Sequence, residues 1–147
     1  MPQADHRYPV DYRVMTMDDY SGAFRLWESC EGLGLSSADT REAIDGYLRR
    51  NPGSSFVALR GGEVIGTVVA GHDGRRGYIY HLAVAPDSRG RGIGSKLVRL
   101  ALDELSGTGI RKCHIMVLSE NANGRAFWEA ERWTHRPDIC LYSADLG

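Results

Sequence analysis

A chain of 147 residues with 42% hydrophobic and 25% charged residues has the proportions of one globular domain, large enough to bury a core without disulfides or metal. Its net charge of −1 excludes a general affinity for nucleic acid or for an anionic membrane surface, and no apolar run approaches the roughly 20 residues of a membrane span. The three cysteines, Cys30, Cys113 and Cys140, form no Cys-x-x-Cys pair or cysteine–histidine cluster, so they read as free thiols of a cytoplasmic protein with no metal site.

Residues 1–9 are polar, lack the apolar run of a signal peptide and are expected to form a disordered tail, leaving 10–147 as the domain. Alternation predicts a short strand over 12–15. Thr16 and the acidic pair after it supply capping chemistry for a helix over about 18–30, with Phe24, Leu26 and Trp27 on its apolar side. Glycines at 32 and 34 break the pattern, and Ser37 or Asp39 caps a second helix running to Arg50 that packs through Ile44, Tyr47 and Leu48. Asn51-Pro52-Gly53 stops it.

Strands at 55–60, 63–70 and 77–84, separated by Gly61-Gly62 and Asp73-Gly74, predict an antiparallel meander. A helix follows from about Ile93 to Gly107, its apolar positions Ile93, Leu97, Val98, Ala101 and Leu105 falling at helical spacing. A strand at 112–118 should lie parallel to that at 77–84, since a helix separates them. A last helix at 121–132 and a final strand at 139–143 complete a mixed α/β (α+β) fold: a mostly antiparallel central sheet flanked by helices.

The stretch that carries chemistry lies between the 77–84 strand and the helix at Ile93. Arg89-Gly90-Arg91-Gly92-Ile93-Gly94 opens directly into that helix, whose first N–H groups are unpaired and carry partial positive charge. Alternate glycines let a pyrophosphate approach the backbone, and Arg89 and Arg91 add cationic partners. The dinucleotide fingerprint requires G-x-G-x-x-G, which this spacing does not meet, and Gly94-Ser95-Lys96 has the wrong order for a nucleotide-triphosphate loop. A turn and helix start that bind nothing is the bland alternative.

At these residues the chain resembles the GNAT superfamily of acetyl-CoA-dependent N-acetyltransferases. The signature of Arg or Gln, two residues, Gly, one residue, then Gly or Ala is met by Arg89, Gly92 and Gly94. Leu82-Ala83-Val84-Ala85-Pro86 resembles the strand that enters the loop. Leu26-Trp27-Glu28, Gly66-Thr67-Val68, Asp73-Gly74, Arg76-Gly77 and Tyr80 are most similar to the small bacterial YpeA-like branch. The resemblance implies a splayed parallel strand pair that admits acetyl-CoA between 82–84 and 116–118. It assigns the pyrophosphate to Arg89, Gly90, Arg91, Gly92, Ile93, Gly94 and Ser95, the pantetheine arm to Leu82, Ala83 and Val84, and a further contact to Asn121, for which a plain helix cap is the alternative reading.

The reaction so implied is direct transfer of acetyl to a primary amine in a ternary complex. By resemblance Tyr80 and Tyr78 face the acceptor, as the catalytic candidates. A phenol of ordinary pKa about 10 is a poor base at neutral pH, so either tyrosine could instead orient a water that carries the proton. His81 has the more suitable side chain, but strict alternation places it with Ile79 and Ala83 on the opposite face. Where the family commonly carries a tyrosine acid the chain has Trp128, whose indole N–H has no usable acidity, so Trp128 is expected against pantetheine. A weak or inactive acetyl-CoA sensor is therefore the alternative to an enzyme.

The acceptor segments implied are about 28–39 and 134–138, where Glu28, Glu31, Asp39 and Asp138 suggest a cationic small-molecule or peptide amine; solvated surface carboxylates are the simpler reading. His72 and Asp73 could meet substrate or merely form a turn. The sheet edge and the final strand leave room for a homodimer.

Overall fold

The computed structural model describes residues 8–147, so residues 1–7 of the expected tail lie outside the described residues. These form two compact units, one ending at Met116 and one spanning Val117–Gly147.

The first unit is built on a five-stranded sheet in the order β1-β2-β3-β4-β5, comprising β1 (Val10–Val14), β2 (Phe56–Arg60), β3 (Glu63–His72), β4 (Gly77–Val84) and β5 (Cys113–Ile115). The first four strands are antiparallel neighbours, and β5 runs parallel to β4. β5 covers only three of the seven residues expected at 112–118. Its ladder with β4 ends at Ile79↔Ile115, so no strand among the described residues pairs with the second edge of residues 80–84.

Three helices cover this sheet: α1 (Tyr20–Ser29), α2 (Arg41–Arg50) and α3 (Ile93–Gly107). Local chemistry sets the starts of α1 and α2. A 3₁₀ turn at Met17–Asp19 precedes α1, and the Asp19 carboxylate accepts from the Thr16 amide at 2.9 Å and twice from the Arg13 guanidinium at 2.8 Å. A second 3₁₀ turn, Ser37–Asp39, takes the place expected for the first turn of α2, whose cap is Thr40 accepting from the Ala43 amide.

Burial follows from the strand and helix periods. Leu26, Trp27 and Ala23 of α1 and Ile44 of α2 pack with Val57, Leu59, Val69 and Ala83 of the sheet. All five predicted apolar positions of α3 are buried, Leu97 and Ala101 completely. Each such leucine is worth roughly 1.5–3 kcal/mol of transfer free energy. Two glycines permit close approach. A Cβ at Gly66 would meet Leu97 and Ile93, and one at Gly71 would lie 2.5 Å from the Tyr47 hydroxyl and the Asn51 side chain.

In the second unit, α4 (Ala122–Ala130) is capped by Asn121, whose Oδ1 accepts from the Gly124 amide at 3.0 Å. The rings of Phe127 and Trp133 pack on Trp128, which is buried. The strand expected at 139–143 does not form; those residues have no regular structure, and Leu141 and Tyr142 are 73% and 90% exposed. A short apolar run becomes a strand only where a neighbour pairs with it and buries a face, and no described residue pairs with this segment.

Gly71→Ala is expected to destabilise the fold by about 1–3 kcal/mol, as overpacking does, measured by urea denaturation; an unchanged midpoint would mean that Tyr47 and Asn51 yield freely. Burial pushes the Asp19 carboxyl up, but Arg13 and the Thr16 amide outweigh it and hold it below its ordinary value. Its stabilising contribution is therefore complete above the unfolded carboxylate value of about 3.9 and is lost as pH falls through the lower folded one. Asp19→Asn should lower Tm at pH 7, and the gap to the parent should close in acid.

Candidate active site

The register of β4 against β3 changes near the middle of the strand. Val69 pairs with Tyr80 but Thr67 pairs with Ala83, so β4 carries one more residue than its partner across this interval. His81 sits in this bulge with φ 43°, a left-handed conformation that costs a non-glycine residue roughly 1–2 kcal/mol. The alternation that placed His81 and Ala83 opposite Tyr80 is thereby broken. Ala83 joins the core beneath α1, and the His81 ring lies 4.6 Å from that of Trp27.

A chain of hydrogen bonds holds the bulge. Trp27 Nε1 donates to Thr67 Oγ1 at 2.9 Å, and that hydroxyl donates to the His81 carbonyl at 2.8 Å. The His81 side chain is held by Asp39, whose Oδ1 lies 2.5 Å from Nε2. The other Asp39 oxygen accepts from the Ser36 amide, and its carbonyl accepts from the buried Tyr20 hydroxyl at 2.6 Å. Asp39 is 6% exposed, so its carboxylate is committed to the fold and is not a free grip for a cationic acceptor. Asp138, another of the four acids, is paired with Arg136 at 3.0 Å. Glu28 and Glu31 remain exposed. Beside Asp39 is an open cleft of about 420 Å³ lined by Tyr20, Phe24, Leu35, Ser36 and Thr40.

Tyr78 and Tyr80 share a face as alternation requires, their rings stacked at 6.5 Å. Tyr47 of α2 meets Tyr80 edge-on at 6.0 Å, and His114 of β5 lies 5.8 Å from Tyr78. Burial, then the neighbouring Tyr78, raises the Tyr80 phenol, and burial raises Tyr47 further, so these two phenols stay neutral across the physiological range. His72 and Asp73 turn out to build a turn: His72 Nδ1 accepts from the Gly74 amide, and Asp73 Oδ1 accepts from those of Arg75 and Arg76.

Beyond Val84 a 3₁₀ turn, Pro86–Ser88, leads to the glycine loop. Its Ser88 hydroxyl, fully buried, accepts from the buried Arg60 guanidinium at 3.1 Å. Arg89 turns back, donating from Nε to the Val84 carbonyl at 3.0 Å and approaching the Cys30 sulfur at 3.7 Å. Gly90 and Gly92 have φ of 78° and 81°, and a Cβ at either would meet no atom within 4 Å. Gly92 is the N-cap of α3 and offers no side-chain cap, while the Ile93 side chain is buried. The loop thus presents glycine backbone and uncapped N–H donors to open space, a donor set that fits a pyrophosphate.

The Acetyltransferase (GNAT) family model matches residues 18–132. The chain belongs to the GNAT acetyltransferase family. Acetyltransferase ECA0875 of Pectobacterium atrosepticum is 37% identical over 76% of this chain and 79% of that protein, and acetyltransferase SG1711 of Sodalis glossinidius is 37% identical over 93% and 96%. Among solved structures, AAC(6')-Iy in complex with the bisubstrate analog CoA-S-monomethyl-acetylneamine superposes with a TM-score of 0.75 at 18% identity, covering 94% of this chain and 99% of that one.

As a GNAT acetyltransferase the protein uses acetyl-CoA as its acetyl donor. The residues that could hold it are the loop 89–95, by backbone at Gly90, Gly92, Ile93, Gly94 and Ser95, and the second edge of residues 82–84, which no described strand pairs. Sequence reasoning missed the bulge, the bond between Trp27 and Thr67, and the junction of Asp39 with His81. The likeness of both Leu26-Trp27-Glu28 and Gly66-Thr67-Val68 to one family branch was the available signal for the first two.

Gly92→Asp places a side chain in a left-handed position and a negative charge at the N-terminus of α3. Calorimetric titration should show acetyl-CoA binding weakened by at least roughly tenfold, with the far-UV spectrum retained; unaltered affinity would remove the loop from the donor site.

Proposed function

We propose that this GNAT acetyltransferase moves acetyl from acetyl-CoA to a primary amine by direct transfer in a ternary complex, with a small-molecule or peptide amine as acceptor. The observation that supports this most is the end of the β4–β5 ladder at Ile79, so that residues 80–84 have no strand partner on that edge among the described residues, directly before the glycine loop. In this reading those backbone groups pair with the amide-rich pantetheine arm. When bound, acetyl-CoA supplies an activated acetyl thioester, whose acetyl group passes to the amine nitrogen while CoA departs as the thiol.

On the protein side, loop 89–95 fixes the donor. Tyr47, Tyr78 and Tyr80 form the wall along which the acceptor approaches; the neutral phenols of Tyr47 and Tyr80 offer aromatic faces to an ammonium group and hydroxyls to an ordered water. The cleft beside Asp39 receives the body of the acceptor. Trp128, buried with the rings of Phe127 and Trp133 packed on it, has an indole N–H without usable acidity and is not the acid in this reading. The likeness to a protein solved with a bisubstrate analog is consistent with both substrates being held at once.

Initial rates should be measured with acetyl-CoA against 2,4-diaminobutyrate, sisomicin, Nα-blocked lysine amide and a peptide with a free N-terminus, following released thiol and acetylated product together. At least one amine is expected to gain one acetyl group per thiol released, with intersecting double-reciprocal lines. Thiol release without acetylated amine would exclude the amine reading, and parallel lines would exclude direct transfer.

A further inference from the structure

We propose that His81 is the proton acceptor for the incoming amine and that Asp39, from the turn between α1 and α2, is its positioning residue. The inference rests on the amine-acetylating reading above and adds the group that removes the proton.

The geometry has three parts. His81 carries a largely buried imidazole, 11% exposed, in the strand bulge, its Nε2 engaged by Asp39 Oδ1 at 2.5 Å, while Nδ1 has no partner among the described residues. A carboxylate on one ring nitrogen favours the tautomer with the proton there, leaving the lone pair on the other. The bulge turns this ring toward α1, next in sequence to Tyr80 of the acceptor wall. Finally, His81 holds a backbone conformation that glycine would occupy without penalty, so the side chain is retained at a cost to stability that a purely structural bulge would not require.

The proton step is simple to balance. An N–H bond of the ammonium breaks, its electron pair stays on nitrogen, and the proton goes to Nδ1. The resulting imidazolium is stabilised by the Asp39 carboxylate and later returns its proton to water. Of the neighbouring titratable and charged groups, Tyr20 from α1 donates to the Asp39 carbonyl and lies near Arg41 and Glu42 of α2, Tyr80 precedes His81 on β4 with Tyr47 of α2 against it, and β3 contributes the uncharged Thr67. Asp39 is the only carboxylate bonded to the ring among the described residues.

Three readouts on the full chain decide the matter. Nitrogen-15 NMR of the imidazole should show the neutral His81 ring protonated at Nε2, with that preference weakened in Asp39→Asn; a ring protonated at Nδ1 overturns the inference whatever the acceptor proves to be. With an amine that the wild type acetylates, His81→Gly, checked for a native far-UV spectrum because it leaves the buried Asp39 carboxylate without its partner, should lower kcat by at least roughly 100-fold and lose the acidic limb of the kcat/KM profile. Added imidazole should restore part of the rate. Asp39→Asn should lower kcat by roughly tenfold or more with little change in KM for acetyl-CoA. Full activity in His81→Gly, or an unchanged pH profile, sinks the assignment while leaving the amine reading intact. If the wild type acetylates no amine, the amine reading falls, and the imidazole tautomer still decides whether Nδ1 is available as an acceptor.

Discussion

The extra residue in the middle of β4 is the constraint from which the site follows. An uninterrupted strand would alternate Tyr78, Tyr80 and Leu82 against Ile79, His81 and Ala83. One inserted residue moves His81 toward α1, brings Ala83 into the core beneath that helix and separates the last part of β4 from the β4–β5 ladder. A left-handed non-glycine residue costs roughly 1–2 kcal/mol. The compensation is local: Thr67 bonds the His81 carbonyl, Trp27 bonds Thr67, and Asp39 bonds the ring, at a net contribution of roughly 0.5–1.5 kcal/mol for each neutral hydrogen bond and more for the charged one. Because Trp27 and Thr67 are almost wholly buried, loss of either partner would strand a polar group, and the bulge is correspondingly well determined.

The loop after β4 shows a division of labour that its composition disguises. The arginine that opens the glycine motif spends its guanidinium on the Val84 carbonyl and the Cys30 sulfur, which ties the end of β4 to the end of α1. Arg60 similarly commits itself to the buried Ser88. These cations brace the turn from both sides, while the backbone N–H groups at the start of α3 form a donor set that fits an anion. Such donors are fixed by the helix geometry and need little reorganisation when an anion arrives.

Legibility divided along the same physical lines. The five buried positions of α3, the antiparallel meander and the parallel β4–β5 pair were readable because each depends on a repeating period or a turn residue within a few positions. Where the expectation failed, a long-range contact or its absence decided. His81 was assigned to the wrong face because a period of two assumes no insertion, and nothing local to Tyr80-His81-Leu82 marks a bulge in place of a glycine. The strand at 139–143 had an apolar run but no neighbour among the described residues, and β5 stopped after three of seven expected residues. Asp39 read as a surface acid or helix cap because its partner is 42 residues away.

The electrostatics of the acceptor face follow from those same contacts. Tyr47 and Tyr80 have phenols raised by burial, so they contribute polarity without charge near neutral pH. Asp39 is enclosed and already spoken for by His81, Ser36 and the turn it caps. In the proposed reading an ammonium group arriving there would meet aromatic faces and an imidazole, and the Asp39 carboxylate would not be free to hold it in its charged form. A site that gripped the ammonium with an unpaired acid would stabilise the unreactive state and oppose the loss of its proton. Placing the negative charge behind the imidazole reverses that effect, because the carboxylate then stabilises the proton only after it has left the amine.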